Sequence, residues 1–178
     1  MARPRLTGVL LVGGASTRFG SPKALAPLAG ETLATRAWRA LGEACDERIA
    51  VGKRKDALQL PFELLDDGSE IRAALAGVVA GLRAASSELA VVLPVDTPLV
   101  TPSLLRKLAA ACAEAAVTQT GPLPAAFARA ALPVLERRLH EGRLALHEAL
   151  EELETGRITV DAELLTNVNT PDDLRSLG

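Results

Sequence analysis

The sequence predicts an α/β fold in which helices cover both faces of a mostly parallel sheet. Short apolar runs alternate along the chain with longer segments of helical periodicity. This alternation is typical of parallel sheets, because their strands are joined by crossover helices. With 178 residues, of which 48% are hydrophobic, the chain is long enough for one buried core. We therefore expect a single domain over residues 1–178.

The predicted elements of the first half alternate as this fold requires. Short runs of Val, Leu and Ile predict strands, and apolar residues spaced three and four apart predict helices. In chain order these are a strand over 7–12, a helix over 31–44, strands over 47–51 and 62–65, a helix over 71–85 and a strand over 89–95.

Prolines and glycines divide the second half of the chain. Thr101 is a candidate N-cap and Pro102 suits the first helical position, so a helix is predicted from there to about residue 116. The stretch 117–127, interrupted by glycine and prolines, predicts two short strands around a turn. The remaining pattern predicts two helices within 132–153, broken near Gly142, and a late strand over 157–160.

Composition excludes several classes of protein. The formal net charge is −2, and the 20 Lys and Arg are scattered among 22 acids, whereas a nucleic-acid-binding face needs clustered cations. Three Phe, one Trp and no Tyr are too few for a base-stacking platform. No apolar run approaches ~18 residues and no signal-peptide pattern is present, which favours a cytoplasmic protein that does not enter a membrane.

Four side chains of types common in metal or catalytic sites are expected to have no such role. Cys45 and Cys112 lie in Ala-rich helical patterns without a second ligand at metal-binding spacing, so we expect buried, reduced thiols. His140 and His147 lack the His-Glu-x-x-His spacing and are expected on the surface.

The most informative motif follows the first predicted strand. Residues 10–25 read LLVGGASTRFGSPKAL, in which Gly13 and Gly14 end the apolar run and Arg18 and Lys23 lie in the following loop. Glycines let backbone N–H groups approach a ligand closely, and two cations suit a ligand with several negative charges. The spacing matches neither a P-loop nor the Gly-x-Gly-x-x-Gly fingerprint. We predict that this loop binds a nucleoside triphosphate. The alternative is that it is an ordinary strand-to-helix connection.

A carboxylate follows the most apolar predicted strand. Residues 93–99 read LPVDTPL, so Asp96 lies at the carboxyl end of that strand. Ligands of open α/β sheets bind beyond this edge, which brings Asp96 towards the glycine loop. Mg²⁺ is commonly bound by one or two carboxylates together with substrate phosphates, so Asp96 is the predicted magnesium ligand. The alternative is that Asp96 only caps the following turn.

Two further motifs carry polar groups. Asp66 and Asp67 follow a predicted strand, and Asp66 is the preferred nucleotide contact, with a solvated turn as the alternative. Near the end of the chain, NVNTPDDL predicts a helix that begins at TPDD. Asn167 and Asn169 lie on one side of the extended segment before it, where their amides can bind a ligand or a metal-bound phosphate.

Taken together, GGASTRFGSPKAL, PVDTPLV and NVNTPDDL resemble the motifs of the molybdenum cofactor guanylyltransferase family of nucleotidyltransferases, in the expected order and over nearly the whole chain. The resemblance implies a Rossmann-like three-layer α/β/α nucleotidyltransferase fold. It also implies an enzyme that uses Mg²⁺ and GTP to attach GMP to molybdopterin-bound molybdenum, with release of pyrophosphate. Transient contact with other cofactor-biosynthesis proteins or with molybdoenzymes is implied in the same way.

The resemblance also assigns roles to individual positions. It implies contacts between the nucleotide and the backbone of the first strand end, cations on its phosphates, a carboxylate on Mg²⁺ and amides facing the pterin or the reacting phosphate. The residues concerned are Leu11, Val12 and Gly13 for the backbone, Lys23 for the phosphates, Asp66 for a further nucleotide contact, Asp96 for Mg²⁺, and Asn167 and Asn169 for the second substrate. The glycine loop itself adds Gly14 as a nucleotide contact and Arg18 as a second cation for the phosphates, so Arg18, Lys23 and Asp96 are the predicted catalytic residues.

Some positions depart from the family pattern and leave alternatives open. Val12, Phe19 and Pro22 stand where Ala, Met and an acid are common, and residues 51–53 read VGK where the family often has Asn. A relative that transfers CMP or activates a sugar phosphate, or a non-catalytic nucleotide-binding protein, are the alternatives. Gly-Gly at 13–14, where cytidylyl relatives more often have Ala-Gly, favours GTP.

Overall fold

The centre of the protein is a mostly parallel sheet. The computed structural model describes residues 4–13 and 19–178, and within these ranges seven strands form the sheet in the order β5-β4-β1-β6-β8-β7-β9. They are β1 (Leu6–Leu11), β4 (Glu47–Gly52), β5 (Leu64–Asp66), β6 (Leu89–Pro94), β7 (Ala115–Thr118), β8 (Gly121–Ala128) and β9 (Thr155–Ile158). Two short strands, β2 (Pro27–Leu28) and β3 (Glu31–Thr32), pair separately as a hairpin.

One strand runs against the others. β8 is antiparallel to both of its neighbours, β6 and β7, whereas the other neighbouring pairs in the sheet are parallel. The carboxyl ends of β5, β4, β1 and β6 therefore meet at one edge, as the sequence predicts.

Helices cover both faces of the sheet. They are α1 (Leu33–Ala44), α2 (Ala74–Ala84), α3 (Pro102–Ala110), α4 (Leu132–His140), α5 (Leu146–Glu151) and α6 (Pro171–Arg175). Buried residues of α1 and α3 share one apolar core with β1 and β6, and those of α2, α4 and α5 share a second core on the opposite face. The predicted three-layer α/β/α arrangement is confirmed.

Two glycines bring α2 close to the central strand. A Cβ atom at Gly77 would lie 2.8 Å from Leu11 Cδ2, and one at Gly81 would lie 2.5 Å from Val9 Cγ1. Larger side chains would push the helix away from β1, because such separations are shorter than van der Waals contact. The N-terminal turn of α2 is thereby held beside the carboxyl end of β1.

The predicted helix beginning at Pro102 is too long in the sequence-based assignment. It ends at Ala110, and Ala115 and Ala116, expected near its end, lie in β7 between β8 and β9. Alanine favours a helix locally, but both residues are fully buried and paired on two sides, so sheet pairing overrides that preference. The other predicted strands and helices are present with shifted ends, and Gly142, at φ +71°, breaks α4 from α5.

The cysteines are less buried than predicted. Cys45 and Cys112 are both partly exposed. Burial of its thiol raises the pKa of Cys112 to about 11, so this thiol stays protonated near neutral pH and is a poor nucleophile. His140 and His147 are exposed, as expected. Among the described residues no helix is long and apolar enough to cross a membrane.

Candidate functional site

A cavity of about 370 Å³ lies at the carboxyl edge of the sheet. Its walls include strand ends and the first turn of α2, represented by Leu11, Gly52, Pro94, Ala74 and Gly77. Its polar lining is formed by Lys53, Asp67, Arg72, Asp96 and Asn167. The cavity therefore combines an apolar wall with charged groups that come from separate parts of the chain.

Backbone hydrogen bonds beyond the strand ends fix the loops around this cavity. The Val12 N–H donates to the Val51 carbonyl at 3.1 Å, and the Val95 N–H donates to the Leu11 carbonyl at 3.1 Å. The Asp67 N–H donates to the Gly52 carbonyl at 2.9 Å. These bonds extend the sheet pattern past its last residues, so Asp67 and Asp96 leave the sheet at the same edge.

Lys23 and Asp96 form a loose charge pair. Lys23 Nζ lies 3.9 Å from Asp96 Oδ2, and their side chains are 16% and 32% exposed. Burial raises the pKa of Asp96 above its ordinary value, and the nearby Lys23 ammonium only partly opposes this rise. The Asp96 carboxylate can therefore gain from a further positive charge.

The segment containing the two predicted asparagines joins this pair. Lys23 Nζ donates to Asn169 Oδ1 at 3.5 Å, and the Val168 N–H donates to the Asp96 carbonyl at 2.8 Å. Val168 is fully buried, whereas Asn167 and Asn169 are exposed, and Asn167 lines the cavity. The alternation expected from the sequence is confirmed, and it brings residues near the end of the chain beside Asp96.

A capping box holds the segment in place. Asp173 Oδ2 accepts hydrogen bonds from the Asn169 and Thr170 N–H groups, each at 2.8 Å, and Thr170 Oγ1 accepts one from the Asp173 N–H at 3.2 Å. The two backbone bonds lower the pKa of Asp173. The predicted start of α6 is confirmed, and it fixes the backbone of Asn169 next to Lys23.

A second charge pair on the cavity wall has no counterpart in the sequence-based predictions. Lys53 Nζ lies 2.8 Å from Asp67 Oδ1 and 2.9 Å from Oδ2, and it also donates to the Ser69 carbonyl at 2.5 Å. The Lys53 and Asp67 side chains are only 5% and 8% exposed. A lysine following a strand carries no local signal for such a pair, because its partner comes from the next strand's loop.

Asp66, the preferred acid in the sequence-based prediction, is used within its own loop. Asp66 Oδ2 accepts from the Arg54 N–H at 2.7 Å and Oδ1 accepts from the Gly68 N–H at 2.8 Å. These backbone bonds lower the pKa of Asp66. Asp67, not Asp66, is among the cavity-lining residues, and contact between Asp66 and a nucleotide stays a prediction.

The other predicted site residues fall into four groups. Leu11, Gly13, Asp96 and Asn167 line the cavity, while Lys23 pairs with Asp96 and Asn169 contacts Lys23. Val12 is buried and its N–H is bonded to the sheet, while Gly14 and Arg18 lie outside the described residues.

The described side chains do not form a complete metal site by themselves. Within residues 4–13 and 19–178 no group of three or more His, Cys, Asp or Glu side chains could hold a metal ion. A hard cation bound through one carboxylate, phosphate oxygens and water needs no such group. Asp96, partly exposed beside the cavity, fits that mode of binding.

Comparison with known proteins gives a consistent family assignment. The profile of the MobA-like NTP transferase domain matches residues 8–156. A molybdenum cofactor guanylyltransferase from Desulfosudis oleivorans is 30% identical, with 95% of this chain and 92% of the relative covered. A probable molybdenum cofactor guanylyltransferase from Chloroflexus aggregans is 34% identical, with 96% and 92% covered.

A solved structure supports the same family assignment. The crystal structure of molybdopterin-guanine dinucleotide biosynthesis protein A from Archaeoglobus fulgidus is similar, with a TM-score of 0.82, 26% identity and 96% of each chain covered. The profile match spans most of the chain, and the curated relatives align over nearly all of it. The chain belongs to the MobA-like NTP transferase domain family.

Proposed function

We propose that this chain transfers GMP from GTP to molybdopterin-bound molybdenum cofactor and releases pyrophosphate, with residues 1–178 acting as one nucleotidyltransferase domain. The observation that carries the proposal is the cluster of Lys23, Asp96 and Asn169 at the carboxyl edge of the sheet, where Gly13, two residues beyond the end of β1, lines the same cavity as Asp96. Relatives named molybdenum cofactor guanylyltransferase, aligned over almost the whole chain, support the choice of nucleotide and acceptor.

The reaction is an in-line displacement at phosphorus. An oxygen of the terminal phosphate on the pterin attacks the α-phosphorus of GTP, and the bond from that phosphorus to the oxygen bridging to the β-phosphate breaks. The electron pair of the broken bond leaves with pyrophosphate. The attacking phosphate is already ionised, so no protein base is required, and catalysis depends on positioning and on stabilising negative charge.

The residues around Asp96 divide this work. Lys23, whose ammonium lies between Asp96 and Asn169, offsets charge on the triphosphate. Arg18 is assigned the same task from its place in the glycine loop. Asn167 and Asn169 orient the phosphate of the second substrate through amide hydrogen bonds.

Asp96 and the phosphate oxygens would hold Mg²⁺. The buried position of Asp96 raises the pKa of its carboxyl, and the Lys23 ammonium 3.9 Å away only partly opposes this rise, so a second positive charge would stabilise the carboxylate. When bound, the ion neutralises charge on the reacting phosphates. A cytoplasmic location, where GTP is available, and transient contact with other cofactor-biosynthesis proteins or molybdoenzymes belong to the same proposal.

The test is a reconstituted reaction. Purified protein is mixed with Mg²⁺, molybdenum-loaded molybdopterin and either GTP or CTP, and both pyrophosphate and the dinucleotide cofactor are quantified by chromatography. GTP should give one pyrophosphate per guanine dinucleotide, and omission of the acceptor should abolish both products. Preferential use of CTP would assign the chain to cytidylyl transfer, and no turnover with either nucleotide would contradict a catalytic role.

A further inference from the structure

The Lys53 ammonium has no hydrogen-bond donor left for a ligand. It has three protons, and its nitrogen contacts both carboxylate oxygens of Asp67 and the Ser69 carbonyl at 2.5–2.9 Å. At 5% exposure it is held inside the wall of the cavity. Lys53 can therefore influence a ligand only through the groups that it positions, which are the Asp67 carboxylate and the Ser69 carbonyl.

Asp67 keeps one acceptor position. Oδ1 accepts hydrogen bonds from Lys53 and, at 2.9 Å, from the Ser69 N–H. Oδ2 accepts only from Lys53 among the described contacts, although a carboxylate oxygen can accept two. Since Asp67 lines the cavity, a donor on a ligand bound there can reach its carboxylate.

The wall next to Asp67 suits a flat, uncharged group. Val51, Gly52, Ala73 and Gly77 line this part of the cavity without polar side-chain atoms. The Lys53–Asp67 pair has no net charge, so it offers little to a triphosphate. In the strand order β5-β4-β1-β6, β1 separates this end from Asp96. A nucleotide with its phosphates near Asp96 would therefore bring its base towards Asp67.

The guanidinium of Arg72 is already engaged nearby. Arg72 lines the cavity, but its Nη1 and Nη2 lie 3.0 and 2.5 Å from the two carboxylate oxygens of Asp56. This bidentate pair uses the guanidinium on a neighbouring loop. Arg72 and Lys53 carry donors and no acceptor, so among the described charged side chains that line this end Asp67 is the one that offers an acceptor.

An open carboxylate acceptor distinguishes the common nucleobases. Guanine presents a ring N–H and an amino group side by side, both donors, whereas adenine and cytosine present a ring acceptor beside their amino group. The ring N–H of guanine can donate to the open position on Asp67 Oδ2, whereas the ring nitrogen of adenine or cytosine is an acceptor and would face that lone pair.

We propose that Lys53 is a positioning residue for nucleobase selectivity, because it holds the Asp67 carboxylate at the cavity wall with one oxygen open towards the base. The inference rests on the proposed function, which takes GTP as the nucleotide. Without Lys53, Asp67 would lose both its partner and its fixed orientation, and the preference for guanine would fall while general nucleotide binding remained.

Calorimetric binding of GTP and ATP, each with Mg²⁺, tests this proposal. Wild-type protein should prefer GTP by at least about tenfold, as expected for a hydrogen bond to a charged group, and Lys53→Met should reduce that preference to within about threefold without weakening ATP. Lys55→Met is the matched control, since Lys55 is 52% exposed and pairs with Glu70 at 2.9 Å. It should keep the wild-type preference.

A double variant separates selectivity from folding. Lys53→Met/Asp67→Leu removes both buried charges, so it should fold even if Lys53→Met alone does not, and it should bind GTP and ATP about equally. A guanine preference retained in Lys53→Met or in the double variant would overturn the inference alone. Wild-type protein without a preference for GTP would overturn the proposed function and this inference with it.

Discussion

The two lysine–aspartate pairs on the cavity differ in how fully they satisfy each other. Lys53 and Asp67 are in direct contact at 2.8 Å with 5% and 8% exposure, whereas Lys23 and Asp96 stand 3.9 Å apart with 16% and 32% exposure. A buried pair repays its desolvation only with good geometry and additional hydrogen bonds, which Lys53 and Asp67 have. The Asp96 carboxylate, 32% exposed and 3.9 Å from Lys23, is accessible to a ligand. The buried Lys53–Asp67 pair thus shapes the cavity wall, and we propose that the looser Lys23–Asp96 pair serves the chemistry.

The largest expected effect comes from breaking the buried Lys53–Asp67 pair. Lys53→Met leaves the Asp67 carboxylate buried without its partner and should lower the free energy of unfolding by about 3–5 kcal/mol. Urea denaturation followed by circular dichroism measures the loss. The exposed-pair variant Lys55→Met should lose no more than about 1 kcal/mol. Equal losses in the two variants would mean that burial of the Lys53 pair is unimportant.

Neutralising Asp96, in the looser of the two pairs, should have the opposite consequence for stability. Asp96→Asn removes a carboxylate whose pKa is raised by burial, so the folded protein should be as stable as wild type or more stable at neutral pH. Turnover should nevertheless fall on the order of 10²–10³-fold, because charge stabilisation at the phosphates is lost. Steady-state pyrophosphate release and thermal unfolding measure the two effects.

A surface acid provides the control for this variant. Asp172→Asn changes a side chain that is 81% exposed and should leave turnover near the wild-type rate. An Asp96→Asn enzyme that keeps its Mg²⁺-dependent turnover would remove Asp96 from the proposed metal site.

Asp96 and Lys23, the pair with a predicted catalytic role, could be identified from the sequence. The buried pair of Lys53 and Asp67 could not. Asp96 ends an apolar strand and Lys23 follows a glycine loop, so local pattern alone marked both residues. Lys53 and Asp67 meet only because β4 and β5 are neighbours in the sheet. Such a pairing depends on tertiary structure, and no spacing along the chain announces it.

As the pH falls, Asp96 should be protonated at a higher pH than an ordinary aspartate. Burial raises the pKa of Asp96 above its usual 3.8, so the carboxyl takes up its proton earlier as the pH falls. Mg²⁺-dependent GTP affinity should decline through this window by up to about tenfold per pH unit. Calorimetry across mildly acidic pH should show this decline in wild type and a flatter profile in Asp96→Asn. The same slope in both proteins would assign the titration to another group.

The smallest expected effect concerns the segment that brings Asn169 to Lys23. Thr170→Ala removes the side-chain oxygen that accepts from the Asp173 N–H and should cost about 1 kcal/mol of stability. Ser176→Ala, at the other end of α6, is the control and should cost less. Urea midpoints compare the two, and an unchanged midpoint for Thr170→Ala would show that the cap does not hold the segment.

Most of the fold was accessible from periodicity, and its errors have physical causes. The helix predicted to about residue 116 ends at Ala110, because Ala115 and Ala116 gain two strand neighbours that local propensity does not register. Helix α1 begins at Leu33, two residues after the predicted Glu31. Its N-cap is Thr32, whose Oγ1 accepts from the Thr35 N–H at 3.1 Å. An N-cap signal was present there and would have located the start.

The most direct test of a divided site is a calorimetric comparison of GTP, ATP and guanosine binding to wild type, Lys23→Met and Lys53→Met. Lys23→Met should lose at least about tenfold of the advantage of GTP over guanosine and keep its affinity for guanosine. Lys53→Met should lose the advantage of GTP over ATP and keep that of GTP over guanosine. Two variants that weaken the same ligands in the same proportions would contradict the division between a base end at Lys53 and Asp67 and a phosphate end at Lys23 and Asp96.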